Sequence, residues 1–261
     1  FKKINFEYKN TTRYVFRGKI FRELVFLTLN LKYLYSSTPE LESNLFKKSK
    51  VSKCKYIYLQ HSLASLTMIY PKNAFNSFDA IQAVTNYQFN EVNEINEINN
   101  LKIKVFKSNY LFLRNQTKKI KSKNCKDVLI APSWNTNFYN LKCHKTISNF
   151  LKQNKVSYDL RPHPMSIIKN EISIEELKKL NISYNLKTNL NFMDYKYFIS
   201  DWSGIFIEYA IITGKKPFLI NTPRKILNEA YELFKNKPAE IFLRKKITNN
   251  YEIDEIDKLI N

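Results

Sequence analysis

Short apolar runs alternate with longer amphipathic stretches along this chain of 261 residues, and the alternation predicts strands joined by helices. The predicted strands span residues 32–36, 55–60, 78–84, 102–106, 128–131, 158–161, 197–200 and 215–220. Strands that alternate with helices are typical of α/β domains with mainly parallel sheets. We therefore expect an α/β fold in which ligands bind at the carboxyl ends of the strands.

The helices expected between these strands begin at recognisable residues. We predict a helix opened by Pro39, one from Asn86, one over Cys143–Asn154, one from Glu175 and a closing helix over Tyr251–Asn261. Residues 91–100, rich in Glu and Asn, predict a helix end and a loop without a chemical role. The basic and aromatic residues 1–22 predict either a solvated amphipathic helix or a segment on a membrane surface.

The stretch 197–214 combines a strand, a turn and a helix in a form that suits phosphate binding. We expect Ser203 to cap the helix with its hydroxyl, Gly204 to let a ligand approach the backbone, and Gly214 to end the helix. Free N–H groups and the positive end of a helix dipole attract phosphate or pyrophosphate at such a turn. The alternative is an ordinary capped helix, and the local pattern leaves both interpretations open.

A lysine-rich stretch at 115–126 has little apolar content and separates two halves with the same strand–helix pattern. We predict an α/β domain over 1–114, a basic linker over 115–126 and a second α/β domain over 127–261. A nucleic-acid-binding arm would have a similar composition, but lysines without interleaved aromatic residues favour a solvated linker. Ligands of paired domains usually lie in the cleft between them, and we expect the same here.

The charge of the chain favours an anionic partner. With 43 basic and 23 acidic residues, the formal net charge is +20. Such a charge suits a nucleotide, a phosphopolymer, an acidic membrane surface or nucleic acid, and does not choose among them. The glycine-rich GxGxxG and Walker A loops of common nucleotide sites are absent from the sequence.

Three cysteines, Cys54, Cys125 and Cys143, are widely separated and form no CxxC pair. This pattern predicts reduced thiols in a cytoplasmic protein and no structural zinc. The sequence shows no signal peptide and no apolar run of about 18 residues that would span a bilayer. Because the chain does not begin with Met, we allow for missing N-terminal elements in the interpretation of its N-terminal half.

Two of the three histidines follow predicted strands, where a ligand of an open α/β sheet binds. His61 and Ser62 follow the strand at 55–60, and His163 projects from a stiff turn between two prolines, next to Arg161. Imidazole exchanges a proton near neutral pH, so both rings are candidates for proton transfer. The alternative for either ring is a hydrogen-bonded structural histidine, which is the interpretation we give to His144.

Other familiar catalytic patterns are missing or incomplete. The sequence contains no HExxH or clustered Cys and His for zinc, and Asp201-Trp202-Ser203-Gly204 is not the GxSxG turn of a serine hydrolase. We expect Asp201 to be an orienting carboxylate rather than a base. Glu208, one turn into the following helix, either reaches a ribose or faces solvent.

Five short motifs together resemble the CDP-glycerol glycerophosphotransferase family, the bacterial teichoic-acid and capsule polymerases, over roughly residues 30–235. They are Tyr58-Leu59-Gln60-His61-Ser62, Ala131-Pro132-Ser133-Trp134, Arg161-Pro162-His163-Pro164, Ser200-Asp201-Trp202-Ser203-Gly204 with Glu208-Tyr209-Ala210, and Lys216-Pro217. The resemblance implies a GT-B-like fold of two Rossmann-like domains facing a central cleft. Trp202 and Gly204 depart from the Asp-Tyr-Ser-Ser of many members, and this departure bears on donor identity.

The same resemblance implies the roles of individual residues. His61 and His163 would be catalytic, and the donor diphosphate would rest on Ser203 and the helix behind it. The C-terminal domain would bind the donor through residues Arg161, Asp201, Ser203, Gly204 and Glu208, with Ser62 and Ser133 in secondary roles. The N-terminal domain would take the acceptor.

The resulting hypothesis is attack of an acceptor hydroxyl on the β-phosphorus of CDP-glycerol, with His61 as the base. The acceptor would be lipid-linked or an oligosaccharide, and the enzyme would be cytoplasmic, either free or peripheral on the inner face of the membrane, with no nucleic acid as partner. We expect no cofactor and no metal ligands, and leave dependence on Mg²⁺ open. Two alternatives remain: a nucleotide-sugar glycosyltransferase of the GT-B type, and a non-catalytic basic module on anionic membrane or nucleic acid.

Overall fold

The computed structural model describes residues 18–42, 46–116, 125–187 and 190–259. Within these ranges the strands are β1 Tyr33–Ser36, β2 Lys55–Tyr58, β3 Ala80–Ala83, β4 Lys104–Lys107, β5 Lys126–Ile130, β6 Tyr158–Leu160, β7 Tyr195–Ser200, β8 Phe218–Ile220 and β9 Asn249–Tyr251. The α-helices are α1 Lys19–Thr28, α2 Asn86–Asn99, α3 Leu111–Gln116, α4 Cys143–Gln153, α5 Pro164–Ile168, α6 Ile174–Lys179, α7 Ile205–Thr213 and α8 Ala239–Ile247. Short 3-10 helices span Phe192–Asp194, Glu229–Leu233 and Ile253–Leu259.

The described strands form two separate sheets in which each pair of neighbours is parallel. The first sheet has the order β1-β2-β3-β4, and the second has the order β6-β5-β7-β8-β9. We call the first sheet with its helices the N-lobe and the second the C-lobe. The predicted α/β fold with two mainly parallel sheets is confirmed.

Each lobe has a core built from the apolar faces of its strands and helices. In the N-lobe, Tyr58 and Ile81 on neighbouring strands are fully buried and pack with Val92 and Ile95 of α2. In the C-lobe, the interior strand β5 contributes Leu129 and Ile130, which are also fully buried. Burial of each such side chain favours the folded state by about 1.5–3 kcal/mol. The cores therefore hold the strand ends, where the candidate site residues follow, in fixed positions.

Several predicted element boundaries are wrong for local reasons. The helix expected from Pro39 does not form over the described residues 37–42, because Glu40 and Glu42 adopt φ values of 64° and 73°, which a helix excludes. Conversely, α2 continues through the region predicted to be a loop. It ends only where Asn100 turns into the left-handed region at φ 51° and donates its N–H to the Asn96 carbonyl.

The C-terminal prediction is also wrong in part. Tyr251, the expected first residue of the closing helix, is instead the last residue of the edge strand β9, which pairs in parallel with β8. A short 3-10 helix follows it, and residues 260–261 lie outside the described ranges.

A segment after β8 returns to the N-lobe, which the sequence did not predict. The Leu227 N–H donates to the Met68 carbonyl at 2.9 Å, and Asn228 Nδ2 donates to the Thr67 carbonyl at 2.8 Å. Most of the predicted linker, residues 117–124, lies outside the described ranges, and the domain boundaries stay a prediction. Over the described residues, no helix has the length and apolar character needed to cross a membrane.

Candidate active site

The loop that follows β2 carries His61 to the boundary between the lobes. His61 is exposed, and its Nδ1 lies 3.1 Å from the Tyr58 hydroxyl at the end of β2. Partial loss of hydration among the surrounding groups lowers the pKa of His61, and a hydrogen bond with the Ser37 backbone opposes this effect. The ring is therefore largely neutral at pH 7, the form that accepts a proton.

Buried carboxylates hold the backbone of this loop in place. Both oxygens of Glu240, on α8, accept the Ser65 N–H at 3.0 and 3.2 Å, and Glu91, on α2, accepts the Leu66 N–H at 2.9 Å. Burial raises the pKa of Glu240 to about 7 and that of Glu91 to about 8. Glu91 thus has a structural role in the stretch for which the sequence predicted none.

Gln88 of α2 completes the support of the His61 loop. Its side-chain amide donates to the carbonyls of Ser62 and Ala64 at 3.1 and 2.9 Å. Ser62, predicted as a secondary site residue, is half-buried next to His61, and its hydroxyl accepts the Ala64 N–H at 3.3 Å. The loop backbone is therefore fixed by side chains from two helices, which makes the position of His61 well defined.

The structure gives Gly204 a different purpose from the predicted one. A Cβ at this position would lie 2.9 Å from Ala64 Cβ, so a larger side chain would collide with the His61 loop. The backbone of Gly204 is ordinary, at φ −57°. Glycine is required here by contact between the lobes, and the prediction that it admits a ligand stays a prediction without direct support.

Ser203 does not cap α7 with its hydroxyl, and this prediction is wrong. The helix begins at Ile205 with Gly204 as its N-cap, and the Phe206 N–H is bonded to the Ser203 carbonyl at 3.2 Å. Because Gly204 already has helical backbone angles, the first turn closes on backbone oxygens. Ser203 is half-buried at the start of α7, where its hydroxyl makes no capping bond. Gly214 ends the helix as predicted, at φ 68°.

Asp201 is fully buried beneath the loop that follows β5. Its carboxylate accepts the Ser133 N–H at 2.7 Å and the Thr136 hydroxyl at 2.5 Å, and burial raises its pKa. Arg244 of α8 donates to the Asp201 carbonyl at 2.8 Å. These contacts suit the expected orienting role, because they place Ser133 and Trp134 while the carboxylate itself is closed to solvent.

His163 is the N-cap of α5, and its Nδ1 accepts the Met165 N–H at 3.1 Å. The neutral ring therefore carries its proton on Nε2. Burial, followed by the charges of Lys225, Arg161 and His61, lowers its pKa to about 4. Because the charge of His61 is among these causes, the two imidazoles lie within electrostatic range of each other, and their action on one ligand stays a prediction.

Two cations lie beside His163. Lys225 is buried, with its Nζ 4.2 Å from the centroid of the Trp134 ring and 3.4 Å from Ser133 Oγ. Burial lowers its pKa to about 8 and also lowers the pKa of Arg161. Among the described residues, neither cation has a carboxylate oxygen within 4.0 Å. The sequence singled out Arg161 but missed Lys225.

Glu208 is buried and does not face solvent, so that alternative is wrong. One of its oxygens accepts the Tyr110 hydroxyl at 2.9 Å, and the same hydroxyl lies 2.7 Å from the His61 carbonyl. Burial raises the pKa of Glu208 to about 7, opposed by bonds from Tyr110 and the Leu63 N–H. Contact of Glu208 with a ribose stays a prediction, and the contribution of Tyr110 was missed.

The remaining candidates lie outside the cleft. His144 is buried in α4, as a structural histidine would be, with Nε2 3.7 Å from Glu176 Oε1, but neither ring nitrogen has a hydrogen-bond partner among the described residues. Cys54 and Cys143 are buried free thiols. In the part of the chain that the structure describes, no group of three or more His, Cys, Asp or Glu is placed to hold a metal ion.

Comparison with known proteins gives only distant likenesses. No family model and no curated protein sequence matches the chain. Among solved structures, it is similar to a variant of the wall teichoic acid polymerase TagF, at 13% identity and a TM-score of 0.43, covering 72% of this chain and 53% of that one. It is also similar to TarM, at 15% identity and a TM-score of 0.38, covering 82% and 45%. The chain thus spans about half the length of each, and likenesses at this level leave substrate and mechanism to the residues themselves.

Proposed function

We propose that this chain transfers a polyol phosphate, glycerol phosphate, from a CDP-linked donor to a hydroxyl acceptor during synthesis of a cell-surface polymer. The observation that supports the proposal most strongly is the group formed by Arg161, His163 and Lys225. It holds two cations without a carboxylate within 4.0 Å among the described residues, beside a neutral imidazole that donates from Nε2. A partly buried cationic cluster of this kind suits the diphosphate of a nucleotide donor.

In the proposed reaction, the acceptor oxygen forms a bond to the β-phosphorus of CDP-glycerol. The bond between that phosphorus and the bridging oxygen breaks, and CMP leaves with the bridging oxygen. The acceptor proton passes to His61. For His61 to accept it at Nε2, Nδ1 must carry the other hydrogen and donate it to the Tyr58 oxygen, across the 3.1 Å that separates them.

Groups of the C-lobe would stabilise the negative charge on the reacting phosphates. Arg161 provides a permanent cation, and His163 donates from Nε2 because Nδ1 is occupied by the Met165 N–H. The half-buried hydroxyl of Ser203 and the N-terminus of α7 would add donors at the turn after β7. These groups require no rearrangement during the reaction, which is the usual source of electrostatic stabilisation in phosphoryl transfer.

The partners in this proposal follow from the reaction. The donor is a nucleotide-activated polyol phosphate, and the acceptor is a lipid-linked or oligosaccharide hydroxyl at the inner face of the cell membrane. The formal charge of +20 suits contact with anionic lipid there.

Thermal-shift screening against CDP-glycerol, CDP-ribitol, UDP-sugars and CMP-sugars tests the proposal, followed by product analysis of each ligand that binds. A donor at 100 times its Kd stabilises the native state by about 2.7 kcal/mol, which shifts the Tm measurably. We expect stabilisation by CDP-glycerol and release of CMP. Stabilisation and turnover with a nucleotide sugar alone would instead identify a glycosyltransferase. Salt-sensitive binding of anionic vesicles with no response to any nucleotide would leave a non-catalytic module.

A further inference from the structure

The loop between β8 and α8 places Lys225 between the two lobes. On its C-lobe side, Trp202 Nε1 donates to the Thr222 carbonyl at 2.7 Å. On its N-lobe side, the Leu227 N–H donates to the Met68 carbonyl at 2.9 Å. The loop is thus anchored on both lobes within a few residues of Lys225, which fixes the position of this side chain in the cleft.

The Lys225 ammonium group has fewer hydrogen-bond partners among the described residues than it has donors. An ammonium has three donors, yet the one hydrogen bond that it makes among the described residues is a long one, 3.4 Å, to Ser133 Oγ. The Trp134 ring lies below it at 4.2 Å. The carboxylates of Asp201, Glu240 and Glu171 act on it only from a longer range. A buried charge without close partners is costly, so the site favours an anion that would complete it.

The position of Lys225 relative to the two imidazoles indicates which part of a donor it would meet. Lys225 Nζ lies 4.2 Å from the centroid of the Trp134 ring, and the His163 ring lies against the same indole, with ring centroids 6.4 Å apart. The charge of Lys225 also lowers the pKa of His163. Lys225 and His163 therefore belong to one group in the C-lobe, and in the proposed reaction, with His61 acting from the N-lobe, that group would meet the leaving nucleotide.

We propose that Lys225 binds the phosphate of the leaving nucleotide directly, with the Ser133 hydroxyl as a second ligand and Trp134 as the wall of the site. This inference rests on the proposed transfer reaction and deepens it. In the ground state the ammonium binds the phosphate that carries the nucleoside. As the bond to the bridging oxygen breaks, it also stabilises the negative charge that develops there.

Binding measurements on Lys225→Met test this assignment, with CMP, cytidine and inorganic pyrophosphate as probes. Loss of a charge-assisted hydrogen bond predicts that CMP and pyrophosphate bind about 10- to 100-fold more weakly. Cytidine, which has no phosphate, should bind as it does to the original protein. Lys225→Arg keeps the charge and should retain part of the affinity for CMP. Lys178→Met, which removes an exposed lysine of α6, is the matched control and should change none of these values.

Thermal unfolding without ligand separates a binding role from a structural one. Because Lys225 is a buried cation without a close counter-ion, Lys225→Met should leave the Tm of the free protein unchanged or raise it. A lower Tm together with equal losses of affinity for CMP and cytidine would overturn the assignment, as would unchanged binding of CMP and pyrophosphate. If the original protein binds pyrophosphate in a Lys225-dependent manner but no cytidine nucleotide, the donor proposal fails and the anion site stands. If it binds none of the phosphate probes, both fail.

Discussion

The hydroxyl of Tyr110 and the carboxyl group of Glu208 lie 2.9 Å apart and join the N-lobe to helix α7 of the C-lobe. The same hydroxyl lies 2.7 Å from the His61 carbonyl. Because a tyrosine has one hydrogen to donate, it bonds the His61 carbonyl when Glu208 is protonated and the carboxylate when Glu208 is ionised. Burial raises the pKa of Glu208 to about 7, so the bond to the His61 carbonyl forms below neutral pH and is lost above it.

Replacement of this hydroxyl should therefore impair the proposed base. In Tyr110→Phe, the His61 carbonyl and the buried Glu208 both lose a partner, and the bond that lowers the pKa of Glu208 is removed. We expect kcat to fall by up to about tenfold, as for one ordinary hydrogen bond. Any step in the pH profile of kcat near pH 7 should move to higher pH.

The exposed Tyr33 of β1 provides the matched control, Tyr33→Phe, because it pairs with Lys55 at the start of β2, whereas the His61 loop follows the end of that strand. Steady-state kinetics between pH 5.5 and 8.5 distinguish the variants. An unchanged pH profile in Tyr110→Phe, with kcat equal to that of the control, would show that the contact does not position His61.

Three buried glutamates with raised pKa values predict an unusual dependence of stability on pH. Glu91, Glu208 and Glu240 have pKa values of about 8, 7 and 7, all above their values in the unfolded chain. The native state then binds more protons than the unfolded state, and the free energy of unfolding falls as pH rises through these values. Each carboxyl contributes up to about 1.4 kcal/mol per pH unit.

The window for this measurement is pH 6.5 to 8. Below pH 6.5, His163, whose pKa is about 4, makes the free energy of unfolding rise with pH. Above pH 8, Lys225, whose pKa is about 8, also makes it rise with pH. Urea unfolding across the window should show a declining free energy, and Glu91→Gln should flatten the slope. Glu97→Gln, at an exposed position of the same helix, should not. A stability that rises with pH in both proteins would contradict the assigned protonation.

The contact between Gly204 and Ala64 predicts a clash that can be relieved. In Gly204→Ala, the new methyl group would lie 2.9 Å from Ala64 Cβ, so the lobes must move apart or the loop must shift. We expect a loss of about 1–3 kcal/mol in the free energy of unfolding. Urea denaturation of the double variant Gly204→Ala, Ala64→Gly should recover much of this loss. Equal destabilisation in the single and double variants would show that glycine serves another purpose here.

Local patterns in the sequence were sufficient for the strands and for the residues that follow them. The β-forming run before His61 and the run before Arg161 both predicted strands, and the structure places β2 and β6 there. Gly214 was recognisable as a helix end because a left-handed residue at that point favours glycine. These features depend on a few neighbouring residues, which is why the sequence alone predicts them.

Residues whose partners are distant in the chain could not be predicted from local patterns. Tyr110 and Glu208 are 98 positions apart, and Lys225 and Ser133 are 92 apart. Nothing in a local pattern relates such residues, and Glu91 was assigned no role for the same reason. The capping role given to Ser203 failed because Gly204 has helical angles, a backbone choice that contact with Ala64 makes possible.

The measurement that tests the central claim most directly is the rate of CMP release from CDP-glycerol in the presence of a lipid-linked acceptor. It compares the original protein with His61→Ala and His163→Asn. Asn at position 163 keeps an oxygen that can accept the Met165 N–H, so the start of α5 is preserved while the imidazole is removed. If both rings serve one phosphate, His61→Ala should lower the rate by about 10²–10⁴-fold and His163→Asn should also lower it, each with an unchanged Tm. Full activity in both variants would contradict the account.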